Sequence, residues 1–76
     1  MTITADTLSE MNLLLQFPSD SLRTGLKIHH EAAPETIAAA KRLHEKGFTD
    51  APDGGYLTDA GIELKEHINR VNLALK

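Results

Sequence analysis

The stretch from residue 47 to residue 58 narrows what this chain can become more than any other. Gly47, the run Pro52-Asp53-Gly54-Gly55, and Thr58 follow one another closely. Each is a stop or start signal with a mechanism. A glycine after an amphipathic segment takes the left-handed conformation that ends a helix. In Ala51-Pro52-Asp53-Gly54, proline presets the φ of the second turn position, aspartate suits the third, and glycine accepts positive φ. A three-residue loop of this kind closes a hairpin with a bulge. Its strands are very short, over residues 48–50 and 56–58. Thr58 is an N-cap, because its hydroxyl can accept an orphan backbone N–H. Helix, hairpin, helix is therefore the order expected of the second half.

The helical segments follow from apolar spacing. The first runs over Ala5–Gln16, capped by Thr4, with Asp6 at the positive end of the dipole. Leu8, Met11, Leu14 and Leu15 fall on one face, and Pro18 stops the helix. A second, shorter helix is expected over residues 20–30, capped by Ser19, with Leu22, Leu26 and His29 inward. Gly25 weakens it by about 1 kcal/mol relative to alanine. The third starts at Pro34, where a missing N–H costs nothing. It buries Ile37, Ala40 and Leu43, with His44 beside them, and ends at Gly47, after which Phe48 packs back on Leu43. The last helix begins after Thr58. Leu64, Ile68, Val71 and Leu75 form its stripe, which runs farther than a small core needs. The tail Val71, Leu73, Ala74 and Leu75 therefore either packs back on the first helix or pairs two chains.

Size and composition bound the rest. Seventy-six residues make one domain, spanning 1–76. At typical per-residue values its stability is on the order of 4–11 kcal/mol. Charged residues are 25% and apolar residues 41%, the balance of a folded chain. There is no cysteine, hence no disulfide and no thiolate-bound zinc. The longest apolar run, Leu13-Leu14-Leu15, is far short of a membrane span, and the first residues resemble neither a signal nor a transit peptide. A cytoplasmic protein with no membrane contact is expected.

The segment KRLHEKGFTDAPDGGYLTDAG, residues 41–61, resembles a common stretch of winged-helix transcription regulators. There the third helix ends in a Leu-x-x-x-Gly-hydrophobic pattern, here Leu43 to Phe48. A wing follows, and Leu-Thr-x-x-Gly opens the next helix, here Leu57-Thr58-Asp59-Ala60-Gly61. LLLQF at 13–17, GLKIHHEAAP at 25–34 and DGGYLT at 53–58 resemble a family of short, uncharacterised bacterial proteins of winged-helix-like pattern. The fold this implies is mostly α (α+β): three helices, a short β-hairpin wing and a long C-terminal helix. The resemblance carries no catalytic or ligand residue onto this chain. It departs from the regulators in a wing with two acids and no base, and in Glu31-Ala32-Ala33 where a helix-turn-helix turn often has glycine.

Charge tests the nucleic-acid expectation. The net charge is −3. Residues 20–50 hold five acids and five bases and are the least acidic third. Arg23, Lys27, Thr36, Lys41, Arg42 and Lys46 are the candidate DNA-facing residues. Base contacts usually come from the start of a recognition helix. Here that start, Pro34 to Ala39, offers only Thr36 as a donor and carries Glu35, which phosphates repel. Ile68, Val71 and Leu75 are the candidate homodimer interface.

Other chemistry finds little footing. His29, His30, His44 and His67 lack the i, i+4 spacing that puts two imidazoles on one face, and zinc needs three or four converging ligands. Asp53 and Asp59 have turn and cap duties, and Ser9, Ser19 and Ser21 stand in no motif. No enzyme and no cofactor is expected. Two functions stand nearly level: a DNA-binding or transcription-linked module, and a protein-interaction module of the same shape that does not bind nucleic acid.

Overall fold

A computed structural model describes residues 2–18 and 25–76. Its elements are α1 (Ala5–Gln16), β1 (Leu26–Lys27), α2 (Pro34–Glu45), β2 (Thr49–Ala51), β3 (Gly54–Leu57) and α3 (Asp59–Leu75). Three helices pack with a small antiparallel sheet of order β1-β3-β2, an α+β, mostly helical fold among the described residues.

The caps explain the helix limits. The Thr4 hydroxyl accepts from the Thr7 amide, and the Thr58 hydroxyl accepts from the Gly61 amide. Pro34 opens α2 behind Ala33, which offers no side-chain cap. At the far end, the Phe48 amide donates to the Leu43 carbonyl and the Gly47 amide to the His44 carbonyl, both at 3.0 Å. Gly47 has φ +87°. This is the paired closure of a glycine-capped helix, and it sets where β2 begins.

The expected second helix is corrected. Residues 19–24, with Ser19, Leu22 and Arg23, lie outside the described residues. Past them, Leu26 and Lys27 are a strand, not a helix. Leu26 pairs with Gly55 and Lys27 with Gly54, and the Ile28 amide donates to the Asp53 carbonyl at 2.7 Å. The edge of β3 supplies backbone partners that a helical 25–30 would forgo. His29 is exposed rather than inward.

The hairpin forms where turn chemistry places it, with shifted limits. β2 ends at Ala51 and β3 starts at Gly54, so Pro52 and Asp53 alone connect them. Thr49 pairs with Leu57 and Ala51 with Gly54. β3 thus carries one extra residue between the pairs, a bulge. The Asp50 carboxylate stabilises it by accepting from the Tyr56 amide at 2.8 Å.

Gly54 serves both the turn and β1. Its φ is +115°, and a Cβ there would stand 2.2 Å from the Leu26 carbonyl oxygen. Gly54→Val should therefore destabilise by about 2 kcal/mol through backbone strain and displacement of β1. Thermal unfolding checks this, and a variant melting with the parent would contradict the turn geometry.

The core joins Leu13 and Leu14 of α1, Ala39, Ala40 and Leu43 of α2, and Ile68 of α3. Phe17, just after α1, is also buried. Met11, Leu15, Leu26, Ile28, Phe48, Leu57 and Leu64 pack around the cluster. Leu8, expected inward, is 52% exposed. The rest of the expected face holds, with Leu14 buried and Met11 and Leu15 packed on the core. Glu10 joins it, with Leu13 and, just past the helix, Phe17, three and seven residues on from Glu10. The tail of α3 does not pack back on α1: Val71, Leu73 and Leu75 are 45%, 61% and 83% exposed.

Candidate functional site

The candidate DNA-facing cations divide into two groups with different surroundings. Arg42 and Lys46 turn towards α1. Glu10, nearly buried on α1, accepts from Arg42 Nε at 3.2 Å through one carboxylate oxygen and from Lys46 Nζ through the other. Arg42 also donates to the Asp6 carbonyl at 3.2 Å. A carboxylate this buried needs paired, hydrogen-bonded charges around it, and two cations four residues apart on one helix face supply them. Both are thereby committed to tying α2 to α1.

Lys27 and Lys41 are exposed and line one cleft of about 500 Å³, between the segment after β1 and α2. Ile28, Ile37 and Ala40 give it an apolar floor, and His29 and His30 lie along it. Lys27 Nζ lies 3.9 Å from the Asp53 carboxylate, across an exposed gap that water screens. Thr36 is half-buried on the first turn of α2. Arg23 lies outside the described residues. The structure thus brings Lys27 and Lys41 together and separates them from Arg42 and Lys46.

The histidines are scattered. His30 Nε2 lies 3.8 Å from Glu31 and His67 Nε2 lies 3.8 Å from Glu63. His44 is half-buried, and its Nδ1 is enclosed without a hydrogen-bond partner. Among the described residues, no three His, Asp or Glu side chains converge as metal ligands would. Asp53 sits in the turn and Asp59 in the first turn of α3, the places their turn and cap duties require.

The third feature is α3 itself. Leu64 and Ile68 pack on the core, while Val71 and Leu75, on the same stripe, do not. The core ends before the helix does. A shallow groove of about 250 Å³, lined by Phe48, Ala60, Glu63, Leu64 and His67, runs beside its first half.

A family model matches residues 1–76, the whole chain. The chain belongs to DUF5669, a family of unknown function. No curated protein and no solved structure matches it. Among the described residues, no helix of this DUF5669 protein is long and apolar enough to cross a membrane.

Sequence reasoning missed Glu10 in this DUF5669 chain. The available signal was an acid three and four residues before the inward Leu13 and Leu14, with Arg42 and Lys46 four apart on the clearest helix. Glu10→Ala should cost about 2 kcal/mol. That is less than a fully enclosed pair would lose, because Lys46 can return to water. Urea unfolding at neutral pH checks the figure, and a variant as stable as the parent would show that the cluster contributes nothing net.

Proposed function

We propose that this chain is a protein-interaction module of winged-helix-like shape, with no catalytic role, whose docking surface is the outer half of α3. The observation that carries this reading is the exposure of Val71 and Leu75 on a helix that outruns its own core. Val71 and Leu75 lie one turn apart on one side of the helix, and two large apolar side chains left in water side by side mark a surface that something covers. The commitment of Arg42 and Lys46 to Glu10 adds weight, since it leaves α2 short of phosphate-binding charge.

The test places a photo-reactive amino acid at Leu75 of the full chain in its native host. Illumination should give discrete crosslinked protein bands, lost in a Val71→Asp background. Absence of any protein adduct, or adducts to nucleic acid alone, would contradict the reading.

One observation favours the DNA-binding alternative. Lys27 and Lys41 remain exposed beside the same cleft. Two phosphates neutralised per chain correspond to a log–log salt slope of roughly −2. That is weak for a protein of net charge −3.

A further inference from the structure

We infer that the partner of α3 is a second copy of the chain, lying antiparallel across it. This inference rests on the interaction reading above and names its occupant.

Along α3, Ala60, Leu64, His67, Val71 and Ala74 recur at alternating spacings of four and three. That is the seam repeat of two helices packed side by side. The seam lies along the flank of the helix beside its core-facing side: Leu64 is half-buried with part of its side chain on the core, and Ala60, His67, Val71 and Ala74 are exposed. It carries both a projection and a recess. Val71 stands out near one end. The groove beside Ala60, walled by Phe48, Leu64 and His67, lies near the other, because alanine leaves the space unfilled.

A two-fold axis across the seam between residues 65 and 66 joins the two. Val71 of one copy then enters the groove over Ala60 of the other, and Leu64 meets His67. The same operation fills both grooves, so the contact closes on itself as an isologous pair.

Charge fixes the direction. Glu63 and Arg70 flank the seam one heptad apart, and both are exposed. In an antiparallel pair Glu63 of each copy faces Arg70 of the other, giving two cross-pairs. A parallel pair sets Val71 against Val71, leaves the Ala60 groove empty and aligns no opposite charges. Leu75 extends the apolar strip beside the seam. Leu73, about 200° around the helix from Val71, takes no part.

Sedimentation equilibrium on the full chain should show a dimer. Glu63→Arg alone and Arg70→Glu alone each bring like charges together twice and should raise the dimer Kd about tenfold or more. The double variant restores the cross-pairs and should return Kd to within about threefold of the parent. A second measurement uses the absence of native cysteine. Ala60→Cys with Val71→Cys should oxidise to a covalent dimer. The two sulfurs of one chain, about 16 Å apart along the helix, cannot bridge each other. A parent that is monomeric throughout, or a double charge variant no better than the single ones, overturns the antiparallel pair. If the parent is monomeric while Leu75 still crosslinks to other proteins, this inference alone fails. If the crosslinks are absent too, the interaction reading falls with it.

Discussion

Leu43→Ala should lower stability by about 3 kcal/mol, a large part of what a chain of this size holds. Leu43 is 2% exposed at the meeting of α1, α2 and α3. Truncation removes its contacts with the core and leaves a void that the packed helices fill only in part. The void opens beside an existing recess lined by Leu14, Phe48, Leu64 and Ile68, so the walls have little to collapse onto. At roughly 4–8 °C per kcal/mol, the midpoint should fall by roughly 12–24 °C. Leu8→Ala is the contrast. Leu8 is half in water, and its removal should change stability by no more than about 0.5 kcal/mol. Parallel thermal melts followed by circular dichroism check both. Equal losses at the two positions would show that the inward face of α1 is misplaced.

Gly61→Val should be comparably damaging, by about 3 kcal/mol or more. A Cβ at Gly61 would stand 2.0 Å from the Phe48 carbonyl oxygen and 3.2 Å from a Leu57 methyl. That carbonyl cannot withdraw cheaply, because it accepts from the Thr58 amide at 3.1 Å and so ties the start of β2 to the start of α3. The Leu57-Thr58-x-x-Gly61 pattern thus has a physical reading. Threonine caps the helix with its hydroxyl, and glycine lets the first turn lie against the hairpin backbone. Overpacking against fixed backbone lies at the high end of its usual cost. Urea unfolding of the variant gives the value, and a loss below about 1 kcal/mol would mean that α3 stands farther from Phe48.

The local signals read correctly because their causes are local. Thr4, Pro34, Gly47 and Thr58 act on backbone groups within a few residues, so the limits of α1, α2 and α3 were legible without the fold. β1 was not. Two residues carry no period, and Leu26 and Lys27 extend because the edge of β3 is there to pair with them. Gly54 was legible as a turn residue, but its second duty, making room for the Leu26 carbonyl, needed the neighbouring strand. The basic face divided for a similar reason. Arg42 and Lys41 are adjacent in sequence, yet α2 turns one towards Glu10 and the other towards the cleft. The overlong stripe of α3 was visible as a pattern, and the structure adds that α1 does not cover its end.

Fluorescence anisotropy of labelled duplex DNA at low ionic strength tests most directly whether this fold serves protein contact instead of nucleic acid. Electrostatic attraction is strongest there, so any phosphate-binding face should declare itself. With Arg42 and Lys46 held by Glu10 and a net charge of −3, the account predicts no saturable binding. Tight binding that weakens steeply with added salt, and is lost in a Lys27→Ala, Lys41→Ala variant, would contradict it.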